Sequence, residues 1–174
     1  MNEYEFTLKF SLQATSVNPE DHLDKLYEAG CDDAIVGTGK KGSIALDFIR
    51  EADSAFDAIS SALMNVKSAI PEAKLIEATP DIVGLTEVAD MLGCSRQNIR
   101  QIMTRNIESF PYPIHEGKSA IWHLFTVLNW LRERKEYKID NEIAELAAMT
   151  MKVNAAKEAS AFGSDLPAMY NLVS

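Results

Sequence analysis

Hydrophobic and polar residues alternate strictly near the start of the chain. In residues 4–13 one side of the chain carries Tyr4, Phe6, Leu8, Phe10 and Leu12, which predicts a half-buried β-strand. Pro19 suits a first helical turn, and residues 22–29 then follow a helical period through Leu23, Leu26 and Tyr27. Residues 33–37 and 43–49 flank a glycine-rich turn, which predicts a hairpin.

A second helix and a further strand complete this region. The helical period runs from Asp53 to about Ala69, and its inward positions are Ala55, Phe56, Ile59, Leu63, Val66 and Ile70. Residues 74–79 read as a short strand. The resulting order, β-α-β-β-α-β, is that of a ferredoxin-like split βαβ sandwich. We therefore expect an α+β protein with a ferredoxin-like domain over residues 1–80.

The pattern changes at Thr79-Pro80-Asp81, where the proline restricts its predecessor and a helical period begins soon afterwards. We place a domain boundary there and expect a second domain over residues 81–138. Residues 139–174 would form a C-terminal helix and a tail that contains Gly163 and Pro167. The alanine-rich helix carries an apolar stripe of Ile143, Leu146, Ala147, Thr150 and Val153.

Residues 85–103 read as a helix, a three-residue turn and a second helix, the arrangement of a helix-turn-helix. Thr86 and Ser95 are expected to cap the two helices, and Gly93 permits a left-handed turn. The inward positions are Val88, Ala89 and Leu92 on the first helix and Ile99, Ile102 and Met103 on the second. The second helix therefore presents a polar face whose members are Arg96, Gln97, Arg100, Gln101 and Thr104, with Arg105 one turn further on.

This polar face contains no carboxylate between Ser95 and Ile107, whereas an ordinary solvated face mixes both signs of charge. Arginine can read guanine and glutamine can read adenine through paired hydrogen bonds, and both reach phosphates. The alternative is an amphipathic helical hairpin whose polar face is only solvated. The net charge of −9 does not decide against DNA, because residues 1–80 carry −7, residues 81–140 carry 0 and residues 141–174 carry −2. Modest non-specific affinity with a strong salt dependence is expected.

The residues that follow add a family resemblance. The anchors, in order, are Phe110, Pro111, Pro113, Gly117, Trp122, Val127, Trp130 and Leu131. Residues 84–135 resemble the winged helix-turn-helix group of excisionases, AlpA-type phage regulators and MerR-like DNA-binding domains. The resemblance implies sequence-specific DNA binding, with Gln97, Arg100 and Gln101 on bases and with Ser95, Arg96 and Lys118 on phosphates. Asn98, Thr104 and Arg105 complete the expected DNA-binding set.

The wing departs from the pattern of that group. AlpA-like wings often carry several basic residues, and this one offers only His115 and Lys118, with Glu116 between them. Wing contact with DNA is therefore open. Trp122 and Trp130 are expected to be core anchors rather than base-stacking platforms.

Other candidate chemistry is weak. Residues 37–42 match G-x-G-x-x-G, but a strand rather than a helix follows, so a hairpin turn is the better interpretation. The three histidines and two cysteines lack metal-ligand spacing, and no nucleophile–base pair is evident. We therefore expect neither enzymatic activity nor a bound metal or cofactor. No apolar run approaches a membrane span, and reduced thiols would suit the cytoplasm.

Two functions follow. The first is a cytoplasmic transcriptional regulator that binds double-stranded DNA as a homodimer on an inverted repeat, and the stripe over residues 143–153 motivates the dimer. Its N-terminal domain would sense a small-molecule effector, bind a partner protein or dimerise. The alternative is an antitoxin or adaptor whose acidic N-terminal domain binds a partner protein, with DNA binding secondary or lost.

Overall fold

The computed structural model describes residues 1–135, 137–162 and 166–174, and within them the chain is an α+β protein with antiparallel sheets. The strands are β1 (Asn2–Ser11), β2 (Ala34–Gly37), β3 (Ser43–Ala52), β4 (Lys74–Thr79), β5 (Ile82–Val83), β6 (His115–Glu116) and β7 (Ala120–His123). The helices are α1 (Leu23–Glu28), α2 (Ala55–Ala69), α3 (Leu85–Met91), α4 (Arg96–Arg105), α5 (Leu124–Arg134), α6 (Asn141–Phe162) and α7 (Leu166–Val173). A short 3-10 helix, Pro19–His22, precedes α1.

The larger sheet has the strand order β2-β3-β1-β4, with every neighbouring pair antiparallel. Phe6 lies opposite Phe48 and Leu8 opposite Leu46, so the alternating residues of two central strands share one buried face. The rings of Phe6 and Phe48 stack with their centroids 5.2 Å apart. The order β-α-β-β-α-β along the chain is the one expected from the hydrophobic pattern.

Helix α2 covers the buried face of this sheet. The Ser54 hydroxyl caps it by accepting the Asp57 N–H at 3.1 Å. Its buried positions are Ala55, Ala58, Ile59, Ala62 and Val66. Phe56, which we expected to face inward, is 60% exposed. On α1 only Leu26 is buried, and Leu23 and Tyr27, which share its helical period, are exposed.

A buried arginine closes the edge of this core. Arg50 donates to both carboxylate oxygens of Asp33, at 2.6 and 2.8 Å, and its third nitrogen donates to Ser61 and Asn65. It also donates to the Gly30 carbonyl and lies over the Phe48 ring. Since its charge is paired and its donors have partners, burial of this guanidinium is tolerated.

A smaller sheet of order β5-β7-β6 belongs to a second apolar cluster. The Trp122 indole N–H donates to the Pro111 carbonyl at 2.9 Å. The Phe110 ring meets the rings of Trp122 and Trp130 edge-on, with centroids 6.0 and 5.0 Å apart. Both tryptophans are buried, so the prediction that they anchor a core is confirmed. We did not predict β5.

Helix α6 packs against both clusters of its own chain. Leu146 joins the first cluster and Ala147 the second, and the buried Thr150 hydroxyl donates to the Pro80 carbonyl. The stripe that motivated a dimer is therefore covered within the chain and is not available to a second copy. Residues 166–173 of the predicted tail form α7, which has no buried residue, and Gly163 lies outside the described residues.

Candidate nucleic-acid interface

Helix α3, a short turn and helix α4 form the predicted helical pair. The cap of α3 differs from expectation: it is Gly84, whose N–H donates to the Glu87 carboxylate at 3.0 Å, and Thr86 lies inside the helix. Gly93 adopts φ +64°, the left-handed conformation expected of it. The Ser95 hydroxyl caps α4 by accepting the Asn98 N–H at 3.1 Å, as predicted.

Apolar residues fix which face of α4 points outward. Val88 and Ala89 of α3 and Ile99 of α4 are fully buried. Ile102 and Met103 of α4 are half-buried against the same cluster. Since these positions recur at helical spacing, the remaining side chains of α4 project away from the body of the protein.

The outward side chains line one shallow groove along α4. Its members are Arg96, Gln97, Arg100, Gln101, Thr104 and Arg105, and all six are exposed. Among the described residues, no carboxylate lies within ion-pair distance of the three arginines. The structure therefore brings together six of the nine predicted DNA-binding residues as a cationic, hydrogen-bonding face.

The other three predicted residues lie apart from that groove. Ser95 is at the start of α4 as its cap. The Asn98 amide donates to the Tyr137 hydroxyl at 3.1 Å, which ties α4 to the segment after α5. Lys118 is exposed in the turn between β6 and β7. In that turn a Cβ on Gly117 would lie 2.9 Å from Nε2 of His115, an exposed side chain that can move aside.

Two basic side chains near the interface are differently engaged. The Arg134 guanidinium lies 4.4 Å from the centre of the Trp130 ring and donates to the Ser109 hydroxyl at 2.7 Å. It therefore braces the loop after α4 against α5. Arg132 donates to Asn129 of its own helix at 2.9 Å and stays exposed.

A buried polar junction connects this region to the larger sheet, and sequence reasoning missed it. Asp81 is 1% exposed, and its two carboxylate oxygens lie 2.6 Å from His123 Nδ1 and 2.7 Å from Asn154 Nδ2. Asn154 in turn exchanges two hydrogen bonds with the backbone of Ala78 in β4. Asp81 therefore joins the end of β4, the strand β7 and the helix α6. No local sequence pattern signals these contacts.

Comparisons with known proteins add no family: no protein-family model, curated protein or solved structure matches the chain. Among the described residues, no helix is long and apolar enough to cross a membrane. The same part of the chain holds no group of three or more His, Cys, Asp or Glu side chains arranged to bind a metal ion. The chemistry of the α4 face is thus the principal guide to function.

Proposed function

We propose that this chain is a sequence-specific DNA-binding protein and a cytoplasmic transcriptional regulator, with α4 as its recognition helix. The observation that carries the proposal is the α4 face, where three arginines alternate with Gln97, Gln101 and Thr104 and have no carboxylate partner in the described part of the chain. A face that is only solvated usually carries charges of both signs. The α4 face carries only positive charge, although the net charge of the chain is −9.

The contacts follow from the chemistry of each position. An α-helix fits the major groove, where arginine bonds to guanine and glutamine to adenine through two hydrogen bonds each. We assign Gln97, Arg100 and Gln101 to base edges, because they occupy adjacent turns of the exposed face. Arg96 and Arg105 would reach phosphates on either side. The Thr104 hydroxyl donates to the Arg100 carbonyl at 2.8 Å, so in DNA it would act mainly as an acceptor.

The architecture supports the same proposal. The strand order β2-β3-β1-β4 with two crossing helices supports a ferredoxin-like unit over residues 1–80. The pair α3–α4 followed by the β6–β7 hairpin supports a winged helix-turn-helix over residues 81–138. Lys118 at the hairpin turn would contact the backbone of the duplex. The proposal includes a homodimer on an inverted repeat because one recognition helix covers only a few base pairs, although the α6 stripe no longer supports it. Sedimentation of the free protein and of its DNA complex tests the dimer.

The decisive test is a titration of labelled duplex DNA from upstream of the gene against random duplex DNA, at about 50 mM and about 200 mM salt. Specific reading predicts tighter binding to one sequence at both salt concentrations. Charge attraction alone predicts equal binding to both duplexes that is lost together at the higher salt. Absence of binding to either duplex at low salt would contradict the proposal and favour the antitoxin or adaptor function.

Point variants then separate the roles of the residues. Arg100→Ala should weaken binding to the specific duplex by about 1–3 kcal/mol, and Lys118→Ala should weaken all duplexes alike. Lys152→Ala removes the same charge from an exposed position of α6 and serves as the control. Equal losses for Arg100→Ala and Lys152→Ala would show that α4 does not read bases.

A further inference from the structure

A continuous concave surface crosses the junction of β1, α3 and the start of α6, and we call it the junction groove. One part, of about 710 Å³, lies between β1, α3 and α6. The other, of about 520 Å³, lies over the outer face of the larger sheet beside β5. Glu5, Pro80, Glu87 and Met91 line both parts, so the two form one groove.

Apolar side chains form the floor of this groove. Ile35 and Ile49 on the outer face of the sheet are 72% and 50% exposed, and Ile82 and Met91 beside them are 46% and 36% exposed. A single exposed apolar residue is ordinary, but four that line one concavity mark an interaction surface. An apolar partner surface that packs on this floor would displace water from these side chains.

The charged residues that line the groove are all acidic, and we call them its rim. Eight carboxylate residues and no lysine or arginine occur among the described residues that line it. Asp81 is buried and Glu87 is bonded to the Gly84 N–H, but Glu3, Glu5, Asp90, Asp140 and Glu142 have no cation within ion-pair distance in the part of the chain that the structure describes. These like charges make the electrostatic potential of the groove strongly negative, and a bound cationic group would neutralise it.

We propose that the junction groove binds a basic, amphipathic segment of a partner protein. Lysines or arginines of that segment would pair with the rim, and its apolar residues would cover the floor. DNA is excluded as the occupant by its own charge. A second copy related by a two-fold axis would set the same carboxylates against each other, so it is disfavoured as well.

The test measures binding of a short fluorescent peptide, with lysines and leucines at helical spacing, to the full chain by anisotropy. Two matched peptides accompany it: one has glutamate for lysine and the other serine for leucine. We expect saturable binding of the lysine–leucine peptide and at least about tenfold weaker binding of each matched peptide. Serine-peptide binding of equal strength would overturn the proposal, because it would reduce the effect to charge attraction.

Variants of the full chain locate the binding. Asp90→Lys with Glu142→Lys reverses two rim charges and should weaken the lysine–leucine peptide by about tenfold or more. Asp24→Lys with Glu28→Lys makes the same change in net charge on α1, which contributes no residue to the groove, and should change affinity by less than about twofold. The milder pair Asp90→Asn and Glu142→Gln provides the same comparison if the reversed pair does not fold, with a smaller loss expected.

Several outcomes would overturn the proposal. Equal losses for the rim and α1 variants would show that the groove is not the site. Displacement of the peptide by an equimolar amount of spermine would indicate a small organic cation as the occupant. A dimer of the wild-type chain that the rim variants dissociate, seen by sedimentation, would indicate a second copy instead.

Discussion

Removal of the Asp81 carboxylate should lower the free energy of unfolding by about 3 kcal/mol. The carboxylate is buried and accepts hydrogen bonds from His123 Nδ1 and Asn154 Nδ2 at 2.6 and 2.7 Å. A hydrogen bond to a charged group contributes about 1.5–3 kcal/mol, so two bonds give about 3–6 kcal/mol. The variant Asp81→Ala removes both at once, and the Asp81 carbonyl that accepts the Leu124 N–H at 2.6 Å is unchanged.

Two features of the structure place the expected value at the lower end of that range. The His123 side chain is 30% exposed, so water can replace one bond. Asn154 keeps its two hydrogen bonds with the Ala78 backbone, at 2.8 Å each, after Asp81 is truncated. Burial of the carboxylate also costs free energy that the alanine variant recovers. Asp81→Asn keeps the shape and one acceptor, and should lower the free energy of unfolding by about half as much.

Urea unfolding measures this effect. Both tryptophans lie in the second apolar cluster, so their fluorescence reports that cluster, and far-ultraviolet circular dichroism reports the whole chain. With a denaturant slope of about 1–3 kcal/mol per molar urea, the midpoint for Asp81→Ala should fall by about 1–3 M. Asp24→Ala, at an exposed position on α1, is the control and should change stability by less than about 0.5 kcal/mol. If Asp81→Ala unfolds within that margin of the wild type, the junction does not stabilise the fold.

Three further predictions use the same kinds of measurement. Gly93→Ala should lower the free energy of unfolding by about 1 kcal/mol, because alanine is strained at a φ of +64°. The added Cβ would have no atom within 4 Å, so no clash increases this cost, and a loss above about 3 kcal/mol in urea unfolding would contradict the prediction. Trp122→Phe should cost about 1 kcal/mol or more through the lost indole bond to the Pro111 carbonyl, and an unchanged urea midpoint would argue against that bond. Burial raises the pKa of the Cys31 thiol from 9.0 to about 11, so a thiol reagent at pH 8 should titrate Cys94 rapidly and Cys31 only on unfolding. The folded state holds the Cys31 proton more tightly than the unfolded state, so its contribution to stability should be complete below about pH 9 and lost by about pH 11; equal reaction rates of the two thiols would refute the assignment.

Local patterns predicted the elements that depend on local physics. The alternation of residues 4–13 identified β1 because each strand side chain points to the opposite face from its neighbour. Ser95 and Gly93 were predicted correctly because a cap and a left-handed turn each require a particular residue at one position. The cap of α3 was missed because the capping side chain belongs to Glu87, inside the helix. The cap residue itself, Gly84, has no side chain that would indicate a cap.

The breadth and the partner of a buried helix face are not local properties. Alanines 58 and 62 let α2 lie close to the sheet, so small residues fill its centre and Phe56 falls at the exposed edge. On α6 the period marked the stripe that includes Leu146 and Thr150 as buried, which the structure confirms. A period cannot say which chain covers the stripe, and the structure shows that the two clusters of the same chain cover it.

The distribution of charge in space also differs from its distribution along the sequence. By sequence, the acidic excess falls mainly on residues 1–80, and residues 81–140 have no net charge. In the structure, carboxylates from all three segments, such as Glu3, Asp90 and Glu142, meet in the junction groove. The charges of residues 81–140 are therefore separated in space rather than cancelled: α3 contributes Asp90 to the acidic groove, while α4 presents three arginines elsewhere.

Under the proposed function, this separation would let a chain with a net charge of −9 approach a polyanion. A duplex would repel the acidic groove and the outer face of the sheet and would attract the α4 face. The electric field of the whole molecule would therefore orient α4 toward the duplex, although the net charge slows association. No described residue lines both the α4 face and the junction groove, so a basic partner bound in the groove would not occupy the α4 face. Neutralisation of the groove by such a partner would reduce the net negative charge of the complex. Because the effect is electrostatic, bound peptide should strengthen DNA binding more at low salt than at high salt. An equal effect at both salt concentrations would require a change in the α4 face itself.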